Sequence, residues 1–224
     1  MIRAVIFDMD ETLLDRQGSL RRFAAAQHAR HQDALGRLPV ADFVERFITL
    51  DNNGSLWKDE VYRHILDENR ITAIDPQALL DEYITDFCNH CQGFAGLAEM
   101  VAELRAQGRR LGVITNGTFP FQLHNFRALG VAEHFAAVLV SAQEGIRKPA
   151  PEIFRRALTR LGVTADEAVF VGDNPEADIR GAQNVGMRTV YRPNIFWPEC
   201  DFADAVCTDL PDLPAILRGF EASL

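Results

Sequence analysis

Long hydrophobic runs are absent from the 224-residue sequence. A membrane-spanning helix needs about 20 consecutive apolar residues, and no stretch approaches that length. The amino-terminal residues also lack the basic and then apolar pattern of a secretory signal peptide. We therefore expect a cytoplasmic protein with no membrane partner.

Positive charge is scarce as well. The 23 Lys and Arg residues are outnumbered by 32 Asp and Glu residues, which gives a formal net charge of −9. Nucleic-acid binding requires an excess of basic side chains, so we expect no nucleic-acid partner. With 47% hydrophobic and 25% charged residues, the composition is that of an ordinary globular protein, which we expect to be a monomer or a homodimer.

Cysteine is also rare, with four residues, and two of them form Cys88-Asn-His-Cys91. A zinc site would need a second pair of ligands at similar spacing, and the sequence offers none. Because Cys88 continues the helical apolar pattern of residues 79–88, a core position is the simpler interpretation. Redox or metal chemistry at this pair stays open as the alternative.

The most informative segment that is present begins with the apolar run Ile2 to Phe7, which predicts a strand buried on both faces. Asp8 and Asp10 follow it directly. Residues two apart in an extended chain point the same way, so both acids face one pocket beyond the strand. Two close carboxylates repel each other unless a cation or a shared proton intervenes, which favours a metal site over a surface turn rich in acids.

The next run that resembles a buried strand is Leu111 to Ile114. A parallel crossover needs only about a dozen residues, so the chain between the two strands must include an inserted domain. Amphipathic stripes in that insert predict four helices. We expect a helical domain at 15–91 and a core domain formed by 1–14 and 92–224.

From Gly93 onward, helical patterns alternate with short apolar runs. Such alternation predicts an α/β fold with a doubly wound, Rossmann-like parallel sheet. The expected later strands are residues 137–140, 168–171 and 187–190, whereas the pattern of residues 200–224 predicts no clear element.

Polar residues stand where several of these strands end. Thr115-Asn116-Gly117 follows the second strand, Lys148-Pro149 follows the third, and Gly172-Asp173 with Asp178 follows the fourth. The carboxyl ends of parallel strands meet at one edge of a sheet. Carboxylates, a hydroxyl and a lysine at one edge predict a site for a phosphate and a divalent cation.

The order Asp8-x-Asp10-x-Thr12, Thr115-Asn116-Gly117, Lys148-Pro149 and Gly172-Asp173-x4-Asp178 resembles the four motifs of the haloacid dehalogenase (HAD) superfamily. Each motif alone is weak, but four in order are specific. The helical insert after the first motif is similar to the family's C1-type cap. One departure is Glu11, where many members have Gly, and its role beside the site stays open.

The resemblance implies a Mg²⁺-dependent phosphatase that acts through an aspartyl-phosphate. Asp8 would be the nucleophile and Asp10 the general acid and base. Thr115 and the amide of Asn116 would bind phosphate oxygens, and Lys148 would neutralise the transferring group. Mg²⁺ would be held by the Asp8 carboxylate, the Asp10 backbone carbonyl and Asp173, with Asp178 in an outer shell.

The substrate is expected to be a small phosphorylated metabolite. Residues 15–91 contain nine basic and thirteen acidic residues, which does not suit a nucleic-acid strand. The turn from Asp51 to Lys58 joins two helices, and we expect Asn52 and Lys58 there to contact the substrate, with a solvated helix connection as the alternative.

Other functions within the same resemblance stay open. A β-phosphoglucomutase-like phosphotransferase would share the core and the cap. A 2-haloacid dehalogenase-like hydrolase is disfavoured, because such enzymes lack an acid at the place of Asp10. A phosphonate hydrolase would need a suitably placed cap lysine, and Lys58 is the only lysine of the insert. A binding protein without catalysis is disfavoured by the complete set of catalytic residue types.

Overall fold

The computed structural model describes residues 1–222 and divides into two compact units. The α/β unit contains Met1–Asp15 and the chain from Gly93 onward, and the helical unit is Arg16–Gln92. The expected boundaries of 15 and 91 each differ from this division by one residue.

A six-stranded sheet forms the centre of the α/β unit, in the order β3-β2-β1-β4-β5-β6. All of its strand pairs are parallel. The strands are β1 Ala4–Phe7, β2 Arg110–Thr115, β3 Phe135–Val140, β4 Ala168–Gly172, β5 Arg188–Tyr191 and β6 Ala205–Val206. The predicted doubly wound parallel fold is confirmed.

Strand β1 lies between β2 and β4 in the sheet, and its side chains are apolar on both faces. All four of its residues are buried, and Ala4 pairs with Arg110 of β2 on one side and with Ala168 of β4 on the other. A continuous apolar run suits this place, since a central parallel strand is covered by helices on both faces.

Up to residue 222, the α/β unit contains six α-helices, namely α6 Leu97–Ala106, α7 Phe121–Ala128, α8 Ser141–Glu144, α9 Pro151–Leu161, α10 Gly181–Gln183 and α11 Leu213–Ala222. A π-helical turn, Pro175–Arg180, precedes α10. Helix α9 packs its apolar face on the sheet, where the rings of Phe154 and Phe170 meet edge to face at 5.2 Å between centroids. This packing fixes the helix that follows Lys148.

The carboxyl-terminal part contains two elements that the sequence pattern did not predict, β6 and α11. A strand of two residues is too short to show a period. Helix α11 contributes Leu213 and Leu217 to the core, both of them fully buried.

The helical unit contains five α-helices, which are α1 Arg16–Arg30, α2 Gln32–Leu35, α3 Val40–Asp51, α4 Lys58–Glu68 and α5 Pro76–Asp86. Four of them are long, as expected, and the less clear helix predicted near residues 20–35 is in fact α1 and the short α2. Cys88 and Cys91 lie at the end of this unit and are not joined in a disulfide, and Cys88 is half-buried rather than at the core position that the pattern predicted.

Aromatic rings form much of the core of the helical unit. Phe23 of α1 meets Tyr83 of α5 at 5.5 Å and Phe87 at 6.0 Å, and Phe47 of α3 meets Tyr62 of α4 at 5.5 Å. These contacts join α1 to α5 and α3 to α4. Among residues 1–222, no helix combines the length and the apolarity needed to cross a bilayer.

Candidate active site

The carboxyl edge of the sheet brings together the polar residues that the sequence singled out. Asp8 directly follows β1, Thr115 is the last residue of β2, and Asp173 directly follows β4. Asp178 lies in the π-helical turn, and Lys148 lies in the loop between α8 and α9.

Lys148 is the cation at the centre of this group. Its Nζ lies 2.5 Å from Oδ1 of Asp8 and 2.7 Å from Oδ1 of Asp178, and the residue is 3% exposed. Burial alone would lower the pKa of Lys148, but the charges and hydrogen bonds of the two carboxylates outweigh burial and raise it. The ammonium is therefore charged at every physiological pH.

Three buried carboxylates surround this one ammonium. Asp8, Asp173 and Asp178 each offer an oxygen, and these oxygens lie within 4.8 Å of one another. Burial raises the pKa of Asp8 to about 7, repulsion from Asp178 and Asp10 adds to the rise, and Lys148 opposes it. The pKa of Asp173 is also well above its usual range, because of burial and then the charges of Asp8 and Asp178.

The donor set fits a divalent cation. When ionised, the three carboxylates leave two negative charges that Lys148 does not neutralise. Oδ1 of Asp178 is buried and lies 2.7 Å from the ammonium of Lys148. Carboxylate oxygens are the ligands that Mg²⁺ prefers. The carboxylates that cluster are those of Asp8, Asp173 and Asp178, whereas the family resemblance implied Asp178 only in an outer shell.

Strand β4 approaches Asp178 closely because its last residue is Gly172. A Cβ atom on this residue would lie 2.6 Å from the Cβ of Asp178, a distance that side chains do not tolerate. The small residue therefore allows the acidic turn to pack on the end of β4.

The side chain of Asp10 has a different partner. Its Oδ2 accepts a hydrogen bond of 2.7 Å from Nε2 of Gln122, which also donates to Oγ1 of Thr115 at 2.9 Å. Gln122 lies in the first turn of α7 and is buried. Gln122 was not predicted as a site residue. Its one signal in the sequence is a polar side chain at the start of the helix that follows β2 and Thr115.

Asn116 holds the loop that contains Lys148. Its Oδ1 accepts from the Lys148 backbone N–H at 2.9 Å, and its Nδ2 donates to the Lys148 carbonyl at 3.0 Å. This pair of bonds fixes the start of the lysine side chain. The expected role of the Asn116 backbone amide in phosphate binding stays a prediction.

Asn194 is a second residue that the sequence analysis missed. It lies in the loop after β5, and its Nδ2 donates a hydrogen bond of 2.7 Å to Oδ2 of Asp173. No periodic pattern marks that loop, so Asn194 could not be recognised from the sequence.

Glu11 adopts a left-handed backbone conformation with a φ of 58° and is buried. Gly tolerates this region without cost, whereas another residue pays roughly 1 kcal/mol, so the departure from Gly strains the turn beside Asp10. The negative charge of Glu11 acts on the buried guanidinium of Arg192 in the same unit.

Within the helical unit, Lys58 is only 1% exposed. Its Nζ forms an ion pair with Asp51, which also binds Arg16 through hydrogen bonds of 2.8 and 2.9 Å. Asn52, by contrast, is exposed at the turn with a φ of 39°. The burial of Lys58 favours a structural role for its charge, and the substrate contacts expected of Asn52 and Lys58 stay predictions.

Comparison with known proteins identifies relatives over nearly the whole chain. The family model of haloacid dehalogenase-like hydrolases matches residues 2–186. A glyceraldehyde 3-phosphate phosphatase of Pyrococcus furiosus is 37% identical over 97% of this chain and 93% of its own length.

Two further matches differ in extent and in name. A phosphoserine phosphatase of Thermus thermophilus is 43% identical over 99 residues, which are 44% of this chain and 40% of that protein. A crystal structure of a 2-haloacid dehalogenase from Pseudomonas syringae is 32% identical, covers 98% of this chain and 100% of its own, and superposes with a TM-score of 0.64.

Proposed function

The chain belongs to the haloacid dehalogenase-like hydrolase family, and on that premise we propose a Mg²⁺-dependent phosphatase that acts on a small phosphorylated metabolite. The observation that carries the proposal is the position of Lys148, whose ammonium lies between the carboxylates of Asp8 and Asp178. A fixed cation beside a nucleophilic carboxylate is suited to a transferring phosphoryl group, whose charge it stabilises.

In the first step, an oxygen of Asp8 attacks phosphorus and forms an aspartyl-phosphate. The bond from phosphorus to the ester oxygen breaks, and that oxygen takes a proton from Asp10. The hydrogen bond from Gln122 directs the Asp10 carboxyl toward the neighbouring Thr115, where the phosphate is expected to bind.

In the second step, Asp10 accepts a proton from a water molecule as that water attacks phosphorus. The bond from phosphorus to Asp8 breaks, inorganic phosphate leaves, and both carboxylates return to their starting state. Lys148 faces the oxygen of Asp8 throughout and stabilises the charge that returns to it.

Mg²⁺ would be held by the carboxylates of Asp8 and Asp173 and by the backbone carbonyl of Asp10. When bound, it neutralises the repulsion between these acids and an incoming phosphate dianion. Asp178 would hold the ammonium of Lys148 in place beside the cation site, since its buried Oδ1 contacts that ammonium.

We propose a three-carbon phosphate monoester as the substrate class. Two relatives are named as phosphatases for glyceraldehyde 3-phosphate and phosphoserine, and both compounds have three carbons with a polar group next to the phosphate-bearing end. The exposed side chain of Asn52 is a candidate for a polar contact with such a substrate.

The test is a screen of the purified protein against phosphorylated metabolites and 2-haloacids, with Mg²⁺ and with EDTA. We expect phosphate release that requires Mg²⁺ and is fastest with a three-carbon monoester. Halide release without a metal would instead support the dehalogenase alternative, and isomerised sugar phosphate without free phosphate would support the phosphotransferase. Incorporation of ¹⁸O from water into the released phosphate would mark hydrolysis.

A further inference from the structure

The loop after β5 makes a direct contact with the acidic cluster. Nδ2 of Asn194 donates to Oδ2 of Asp173 at 2.7 Å. The hydrogen bond occupies one oxygen of that carboxylate and fixes its orientation, so the other oxygen is available to the cluster. A carboxylate that ligates a metal needs such an outer partner to hold its geometry.

The same amide group also organises its own loop. Oδ1 of Asn194 accepts hydrogen bonds of 2.9 Å from the backbone N–H groups of Phe196 and Trp197. The backbone N–H of Asn194 donates to the Trp197 carbonyl at 3.2 Å, and the Tyr191 hydroxyl donates to that carbonyl as well. One side chain therefore joins the Asp173 carboxylate to the backbone at Trp197.

We propose that Asn194 is a positioning residue for the divalent cation and that it couples cation binding at Asp173 to the loop of residues 194–197. The proposal rests on the proposed function, because it assumes that Asp173 binds the cation. Any rotation of the Asp173 carboxylate changes its hydrogen bond to Nδ2 of Asn194. Because Oδ1 of the same side chain accepts from the Trp197 N–H, the change reaches Trp197. The loop is free to respond, since Ile195 is 79% exposed and Trp197 is 39% exposed.

Tryptophan provides a direct readout of this coupling. The chain has two tryptophans, and Trp57 lies in the helical unit. In a Trp57→Phe background, all tryptophan emission comes from Trp197. We expect Mg²⁺ to change this emission in a saturable way, with the same midpoint as the heat of Mg²⁺ binding measured by calorimetry.

Two variants separate the bond to Asp173 from the fold of the loop. Asn194→Ser keeps a hydroxyl that accepts weakly from nearby backbone N–H groups but is too short to reach Asp173, and Asn194→Ala removes both contacts. Outer-shell changes at metal sites cost about 10- to 100-fold in metal affinity, and we expect this range for both variants. Asn184→Ala, at an exposed asparagine in the same unit, is the matched control and should bind Mg²⁺ as the parent does.

The readouts distinguish a positioning role from a general structural one. We expect the Mg²⁺ concentration for half-maximal rate to rise at least 10-fold in Asn194→Ser, while KM for the phosphate ester at saturating Mg²⁺ stays within about 2-fold. Unchanged Mg²⁺ affinity in calorimetry, or an emission change with the parent's midpoint, would overturn the inference. If the parent itself binds no Mg²⁺, the proposed metal dependence fails instead, so the two failures are distinguishable.

Discussion

The ammonium of Lys148 and the carboxylate of Asp8 form a buried ion pair of 2.5 Å across 140 positions of sequence. Burial raises the pKa of Asp8 to about 7, and the charge and the hydrogen bond of Lys148 oppose this rise. The lysine thus keeps Asp8, the proposed nucleophile, partly ionised near neutral pH.

Replacement of Lys148 by Met should therefore lower turnover by at least 100-fold, because the variant loses the charge that stabilises the transferring phosphoryl group. In the metal-free protein the pKa of Asp8 should also rise above its value of about 7 in the parent, which would move the pH dependence of Mg²⁺ binding to higher pH. Measurement of kcat at saturating Mg²⁺ checks the first effect, and calorimetry of Mg²⁺ binding from pH 5 to 9 checks the second. Arg147→Met removes the same charge from the exposed neighbour and should change neither measurement.

Replacement of Asp8 by Asn should lower kcat by several orders of magnitude, since a neutral amide of the same volume cannot attack phosphorus. In EDTA at pH 8, its Tm should be no lower than that of the parent, because the substitution removes one of three carboxylates that repel one another. Retained phosphate release would place the nucleophile elsewhere. Asp201→Asn, at an exposed aspartate, is the control for loss of a carboxylate.

Mg²⁺ should stabilise the protein more at pH 8 than at pH 5. The pKa of Asp8 is raised to about 7 in the folded protein from about 3.9 in an unfolded chain, so its contribution to stability is full below about pH 4 and is lost as pH rises through 7. The metal-free protein is thus less stable at the higher pH values, at which its carboxylates are ionised. The ionised form is also the one that binds metal.

At 100 times the dissociation constant, a bound cation adds about 2.7 kcal/mol, which corresponds to a Tm increase of roughly 5 to 10 °C for a chain of this size. Thermal unfolding with EDTA and with Mg²⁺ at both pH values measures the difference. Equal increases at pH 5 and pH 8 would contradict the expectation. Asp8→Asn should show a weaker dependence of Tm on pH.

Much of this architecture was readable from the sequence for a physical reason. Buried parallel strands appear as continuous apolar runs, and the acids at Asp8 and Asp173 directly follow two of them. Chain order and the parallel arrangement are then enough to place both residues at one edge. Strand β6 has two residues and shows no pattern, which is why the sequence did not reveal it.

The residues that hydrogen-bond to Asp10 and Asp173 could not be predicted from the sequence. Gln122 and Asn194 are polar residues in a first helical turn and in a loop, where polar residues are ordinary. Their importance arises from contacts with Asp10 and Asp173, which only the folded chain creates. Likewise, the sequence shows Lys58 as a polar residue near a turn, whereas the structure buries its ammonium beside Asp51.

The ion cluster of the helical unit should matter for stability. Burial raises the pKa of Asp51, but the hydrogen bonds and charges of Arg16 and Lys58 outweigh it and lower that pKa. Asp51→Ala removes the shared partner of the buried Lys58 ammonium and the partly buried Arg16 guanidinium, and it should reduce the free energy of unfolding by about 3 to 5 kcal/mol. Lys58→Met loses the ammonium that lies over the rings of Phe47 and Tyr83, but it keeps an apolar side chain of similar length there. It also leaves Asp51 paired with Arg16, so it should cost less than half as much. Urea unfolding of both variants checks the order, and a larger loss in Lys58→Met would contradict it.

The exposed turn at Asn52 provides the test of substrate contact in the helical unit. Asn52 has a φ of 39° in the left-handed region, where Gly is tolerated and Ala is strained. Asn52→Gly therefore removes the side chain with less disturbance of the backbone than Asn52→Ala would cause. If the amide binds the natural substrate, kcat/KM should fall by about 10-fold, as expected for a lost hydrogen bond to a charged group.

A small aryl phosphate that makes no such contact serves as the internal control, and its kcat/KM should change by less than about 2-fold in Asn52→Gly. The Tm of the variant should match that of the parent, since the side chain is exposed. Lys58→Met extends the comparison. If the Lys58 ammonium contacts the substrate, kcat/KM should fall for the natural substrate only. If its role is purely structural, Tm should fall and both substrates should be affected equally. Equal effects of Asn52→Gly on the two substrates, or none on either, would remove this turn from substrate recognition and direct the search to the residues at the start of α1.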